Sequence, residues 1–164
     1  MISKTLAVWL VVGVYSSSAQ VTIPSSDQSA KLGQTVFGLG LSAGLVSGLG
    51  LSFRHHFPTE FSYQIVAGIV KADDKLHYNL GSEIQFDLIR SDKTRFFACG
   101  GLGYFYSGVS GRNDLAGPFL SGLGIGVEKG GTQALNLSGE LLFSFFSDGT
   151  ILPLPQVSMH YYFF

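Results

Sequence analysis

Nine ionisable side chains stand out in this sequence: Arg54, His56, His77, Glu83, Asp87, Arg95, Glu128, Glu140 and His160. They sit in segments otherwise made of glycine, serine and bulky apolar residues, so their surroundings decide their chemistry. In a confined interior, charges of both signs either pair into a hydrogen-bonded plug or line a narrow, acidic, cation-preferring path. Ser158 and His160 are two apart, hence on one face of an extended segment, and with Glu140 they supply the residue types of a hydrolase triad. His55 and His56 alternate faces and are not expected to ligate one metal. Cys99 is the lone cysteine and reads as a small filler. No phosphate loop, metal-spaced His/Cys set or nucleophile elbow occurs, and the Gly-x-Gly units lie within extended segments rather than before a helix. No cofactor, catalytic residue or metal ligand is therefore expected.

The elements that must position these side chains have a period of two. From Leu76 to Leu88 the even positions are Leu76, Tyr78, Leu80, Ser82, Ile84, Phe86 and Leu88, whereas the odd positions are His77, Asn79, Gly81, Glu83, Gln85 and Asp87. Such alternation marks a strand whose two faces meet different surroundings. The same rule recovers seven further strands, whose bulky faces run through Phe37–Leu45, Leu49–Phe57, Phe61–Ile69, Phe96–Tyr106, Phe119–Val127, Leu135–Phe145 and Val157–Phe163. Apolar residues make up 46% of the chain and charged residues only 13%, about half the usual charged share. Beyond the N-terminus no apolar run reaches the roughly 18 residues of a spanning helix. The 22 glycines argue against long helices, and a net charge of −1 gives no reason to expect nucleic acid.

Which face is inside follows from the small face. It is mostly glycine and serine, whereas a strand face in water is usually rich in Lys, Glu and Thr. An eight-stranded barrel has an interior just wide enough for side chains, so small residues there leave room for a few large polar ones. The segments approach the 9–11 residues that a tilted strand needs to cross a bilayer. The expected fold is an all-β, eight-stranded antiparallel up-and-down transmembrane β-barrel, with bulky residues on lipid. Short links at Pro58–Glu60, Ser91–Thr94 and Lys129–Thr132 mark the periplasmic end. The longest links, Gly108–Gly117 and Ser147–Pro155, mark the outer end. Aromatic residues then gather at two rims: Phe37, Phe57, Phe61, Phe96, Tyr161 and Phe163 at one, Tyr78, Tyr104, Tyr106, Phe119, Phe143 and Phe145 at the other. The segment Ser107–Asp114 reads as a flexible surface loop.

Residues 1–19 carry Lys4, an apolar stretch from Leu6 to Val14 and a small polar end at Ser16–Ala19, the three parts of a cleaved export signal. Residues 20–35 read as a flexible lead-in, and residues 36–164 as the barrel, with no second domain expected.

From about Val36 to Phe164 the chain resembles the small outer-membrane β-barrel family typified by the transmembrane domain of OmpA, OmpX and OmpW. The likeness rests on the alternation, on the repeated Gly-Leu-Gly units (Gly38–Gly40, Gly48–Gly50, Gly101–Gly103, Gly122–Gly124) and on the terminal Met159–Phe164. It implies a bacterial outer-membrane location and contact with outer-membrane lipid. It further implies recognition by the outer-membrane assembly machinery through Tyr162 and Phe164, and a monomeric, non-enzymatic barrel with a structural or surface-interaction role. A small porin-like channel for ions or small solutes is the alternative. In the family the terminal Phe shares the lipid face, whereas here that parity falls on Phe163. Either Phe164 lies outside the ladder or the last strand is shifted by one. The His-x-Ser motif of lipid A deacylase barrels is absent; the order here is Ser-x-His.

Overall fold

A computed structural model describes residues 35–72, 74–91, 93–109, 112–130 and 134–163. The expected export signal, all but the last residue of the lead-in, and Phe164 lie outside these residues. Among the described residues there are nine strands: β1 (Val36–Gly44), β2 (Gly48–His56), β3 (Phe61–Ala72), β4 (Lys75–Arg90), β5 (Thr94–Val109), β6 (Arg112–Asn113), β7 (Phe119–Gly130), β8 (Leu135–Phe145) and β9 (Ile151–Phe163). β6 is a two-residue clip on the end of β5. The other eight form a closed ring in which every pairing is antiparallel and β1 closes against β9. An inward-facing row that leaves β7 at Leu120 passes through Gly103, Gly81, Val66, Ser52, Gly40, His160 and Asn136 and returns to β7 at Gly130. That stagger requires the strands to tilt, by about 35–45° from the axis in barrels of this kind.

The period of two sets the burial. Leu51 is 74% exposed and Ile84 62%, whereas Arg54 is 0% and Glu83 1% exposed. The bulky parity faces outward on every barrel strand. The last strand keeps this register: Phe163 pairs with Phe37 and faces out, and Tyr162 is buried in the interior. Aromatic side chains group toward each end of the barrel wall. Near the chain ends Phe37 stacks on Phe163 and His55, which also meets Phe57 and Tyr63. At the opposite end Tyr78 stacks on Tyr106 and meets Tyr104, which meets Phe119.

The structure corrects the strand ends. In β4 the alternation breaks at Leu88-Ile89, where a bulge lets both side chains face outward. One extra residue on a strand does this, and it returns Arg90 to the side of Asp87, 3.5 Å away. The expected loop Ser147–Pro155 is mostly strand: β9 begins at Ile151, and Pro153 and Pro155 pair with Phe143 and Leu141. Above Val157 β9 has no partner on its β1 side, an edge where proline is tolerated. The expected flexible loop after Ser107 is held by Asn113. Its side chain accepts from the Ser107 and Leu115 amides and donates to the Phe105 carbonyl.

The largest departure from a regular barrel is the tip of the β1–β2 hairpin. β2 pairs with β3 only from Leu51 to His56, so residues above Leu51 leave the wall. Asn79 of β4 replaces the lost ladder by accepting from the Leu49 amide (3.0 Å) and donating to its carbonyl (2.9 Å). Gly48, at φ 103°, makes the bend, in a region that L side chains rarely adopt. Val46 and Ser47 are thereby pressed into the lumen, 1% and 0% exposed. Glycines opposite make the space: a Cβ at Gly81 would overlap the Ser47 carbonyl, and one at Gly103 the Val46 carbonyl. Gly103→Val is expected to force the tip outward and to destabilise the barrel by about 1–3 kcal/mol, the usual cost of overpacking. Urea titration of the folded barrel reads this out; an unchanged midpoint would contradict the tucked tip.

Candidate functional site

The inward parity of the strands assembles one polar core. Arg54 of β2 lies at its centre, fully buried. Its guanidinium donates to Glu128 of β7 and, through Nε at 2.8 Å, to Gln64 of β3. It also reaches Ser158 at 3.1 Å and lies 3.6 Å from Glu140. Arg95 of β5 shares Glu128 at 2.8 Å, binds Asp87 at 2.7 Å and donates to Ser62 at 3.2 Å. Its guanidinium carbon sits 4.4 Å from the centre of the Phe97 ring. Glu128 thus bridges Arg95 on the neighbouring strand and Arg54 from across the barrel, and every member of this group is nearly dry. A buried charge is tolerated only when paired and hydrogen-bonded, and these are.

A second layer is built on amides. Glu83 of β4 and Glu140 of β8 have no cation between them; Gln156 of β9 donates to both. Gln85 adds a donation to Glu83 at 2.6 Å. Gln156 in turn accepts from the Ser47 hydroxyl at 3.0 Å, which fastens the tucked hairpin tip to the acidic pair. Beside this layer Val46, Phe97, Cys99 and Leu142 form a small apolar cluster that fills the remaining width. Among the described residues the one group with metal-ligand spacing is Glu83, Cys99 and Glu140, whose donor atoms lie within 4.8 Å of one another. Both carboxylates there already accept from glutamine amides, so the set fits a hydrogen-bond network better than an ion.

Of the nine residues singled out in the sequence, Arg54, Glu83, Asp87, Arg95, Glu128 and Glu140 meet in this network. His56 and His160 border it: His56 bonds the Tyr162 hydroxyl at 2.8 Å, and His160 bonds Ser52 at 2.8 Å. His77 does not join. It is half-buried in a row with Val70 and Ser107 at the end away from the chain termini, and no hydrogen bond ties it to the network among the described residues. Its lumen parity is right, but its height is wrong. In the Ser158–His160–Glu140 grouping the Ser158 hydroxyl lies 3.4 Å from His160 Nδ1, and the stronger contacts of all three residues go elsewhere. The close partner of His160 is Ser52, the Ser158 hydroxyl is engaged by Ser138 and Arg54, and Glu140 is held by Gln156 and Arg54. His55 faces outward among aromatic rings 4.5–5.3 Å away.

Tyr162, read in the sequence as part of a terminal signal, points into the lumen, as the parity of the last strand expects. The outward aromatics at that end are Tyr161 and Phe163. Sequence reasoning missed Gln64, Gln85 and Gln156, which the alternation would have placed inside had uncharged side chains been weighed with the charged ones. Val46 and Ser47 gave no such signal, because they belong to a turn.

No protein-family model matches this sequence, and no curated protein matches it. Two solved structures are similar in fold. One is the outer membrane protein Ail of Yersinia pestis in a phospholipid bilayer nanodisc, at 11% identity and a TM-score of 0.45, covering 80% of this chain and 99% of that one. The other is Neisserial surface protein A, at 14% identity and a TM-score of 0.38, covering 78% of this chain and 92% of that one.

Proposed function

We propose that this chain is an integral, non-enzymatic β-barrel of the bacterial outer membrane, with a structural or surface-interaction role and a lumen plugged by its own side chains. One observation carries the reading: the barrel is apolar outside and charged inside. Leu39, Leu41, Leu51, Leu80, Ile84 and Leu141 are all exposed while Arg54 and Glu83 are dry. A contiguous apolar band of this extent does not persist in water, but it matches a hydrocarbon slab bordered by aromatic girdles. The start of β1 and the end of β9 lie at the same end as the connections after β2, β4 and β7; we read that end as periplasmic, which puts the β1–β2, β3–β4, β5–β7 and β8–β9 connections, with the long one between β5 and β7, outside. The lipid of the membrane and, during insertion, the assembly machinery are the partners, and the barrel acts as a monomer.

The filled lumen favours a closed barrel over an ion path. Reconstituted in a planar bilayer at moderate potential, the protein is expected to show no discrete conductance steps. Reproducible unitary steps would overturn the plug and restore the channel reading. The membrane assignment has a separate check, a heat-dependent shift in migration on detergent gels, since only an intact barrel resists unfolding in cold detergent.

A further inference from the structure

At the end away from the chain termini the wall is two strands short. β1 pairs with β9 only as far as Ala43, and β2 with β3 only as far as Leu51, whereas β3 runs on to Ala72 and β9 begins at Ile151. Among the described residues, 69–72 of β3 and 151–156 of β9 therefore present ladder edges without a partner across the gap. Val70 and Leu152 have the inward parity there, yet both are exposed. The hairpin tip that would fill the gap lies in the lumen instead. It stays in one piece, because its own ladder is unbroken up to the pair Gly44 and Gly48. Few contacts hold it. Asn79 bonds the Leu49 backbone, Ser47 bonds Gln156, and Val46 joins the cluster of Phe97, Cys99 and Leu142. Asn79 reaches Leu49 across β3 because position 68 is glycine: a Cβ there would overlap the Leu49 carbonyl and lie 2.9 Å from the Asn79 amide nitrogen.

We propose that the β1–β2 tip is a latch with two positions, tucked into the lumen as observed and raised into the gap between β3 and β9. The raised position continues ladders that already exist. Extending the register of Leu51 with Ala67 brings Leu49 to Ile69 and Ser47 to Lys71; extending that of Ala43 with Val157 brings Leu45 to Pro155. Gly48 and Gly50, at φ 103° and 146°, are the hinge on β2. Packed elements switch between discrete arrangements when each satisfies a different set of groups. Tucking satisfies Asn79 and Gln156 and buries Val46, whereas raising gives backbone partners to both free edges. Raising the tip also bares Cys99, Gln156 and the Glu83–Glu140 pair, under a vestibule lined by Gly81, Gly101, Gly103 and Gly122, the glycines that Val46 and Ser47 now cover. The arginine layer beneath stays shut. The latch thus goes beyond the plug proposed above by making its upper half removable.

Cys99, the single thiol, reports the position of the tip. The chain beginning at Gln20, refolded into lipid nanodiscs, is treated with 2-aminoethyl methanethiosulfonate, and labelling is followed by mass at increasing urea. Wild-type Cys99 is expected to label slowly, at a rate insensitive to low urea, because a local opening exposes little surface. Asn79→Ala is expected to label about tenfold faster, the factor that two modest hydrogen bonds supply, with the urea midpoint and the heat-dependent gel shift unchanged. Gly68→Ala should do the same, and the two changes together should add nothing, since both break one contact. The raised position has its own check. In a Cys99→Ser/Asn79→Ala background, Ser47→Cys with Lys71→Cys is expected to form a disulfide under mild oxidation, because paired strands bring the two Cα atoms within reach. Labelling of Asn79→Ala no faster than the wild type, labelling that rises only in step with global unfolding, or absence of that disulfide would overturn the latch. Planar bilayers with Asn79→Ala are expected to stay silent; unitary steps in that variant alone would mean that the arginine layer opens with the tip and would overturn the division into two layers.

Discussion

Replacing Arg54 with methionine is expected to destabilise the barrel by about 3–5 kcal/mol, the cost of removing one partner from a buried ion pair. Methionine keeps the apolar stem of arginine and removes the guanidinium, so most of what is lost is polar contact. What remains is Glu128 with only Arg95 to neutralise it, Gln64 without the donor to its carbonyl oxygen, and Glu140 without its nearest cation. Because those groups lie in a dry lumen, water cannot step in without opening the wall. The companion double change Arg54→Met/Glu128→Gln is expected to recover most of the loss, since it removes both charges together. Urea titration followed by the heat-dependent gel shift measures both. If Arg54→Met costs under 1 kcal/mol, the network is solvated rather than sealed, and the plug must be abandoned. The asymmetry between the single and double changes separates a missing partner from a general intolerance of substitution.

The second large effect concerns the other face. Leu41 lies midway along β1 and is 52% exposed. In a protein surrounded by water, Leu41→Arg on an exposed position would change stability by no more than about 0.5 kcal/mol. In a bilayer the same change at mid-depth is expected to cost about 2–4 kcal/mol. Equilibrium folding into phospholipid vesicles gives the number. The control is Lys71, outward-facing on β3 beyond the aromatic rim, where Lys71→Arg should be neutral. Depth-dependent cost along one face is the signature of a hydrocarbon slab, because a protein core would penalise the inward parity instead.

Much of this architecture was readable from alternation alone, since a strand with two different surroundings writes its orientation into every second residue. Leu76 to Leu88 marks β4 because its odd positions hold no apolar side chain, and Arg54 and Glu128 are recognisable as interior by the same parity. The rule fails where the backbone departs from a regular ladder. The bulge at Leu88-Ile89 gives two adjacent outward residues, and a strict period would have turned Ile89 inside. Ser147–Pro155 reads as a link in the sequence, yet β9 begins at Ile151 and accommodates Pro153 and Pro155, because on this part of β9 one side has no ladder to complete. The tucked tip at Val46-Ser47 was beyond reach, because its position depends on glycines from β4 and β5 that no local pattern connects to it. Parity puts Tyr162 inside, but that its hydroxyl meets His56 follows only from the β1–β9 and β1–β2 registers. Parity identified which charges share the interior, but height along the axis decided that His77 stands apart from the rest.

The most direct check on the inside-out arrangement uses the absence of indole beyond Trp9, the chain's single tryptophan. In a chain beginning at Gln20, Leu41→Trp would be the sole indole. In vesicles its emission is expected to be blue-shifted and strongly quenched by lipids brominated near the bilayer centre, and unaffected by iodide in the buffer. Quenching by iodide with no response to the brominated lipids would mean that this face meets water, and the barrel would then have to be read as a soluble one.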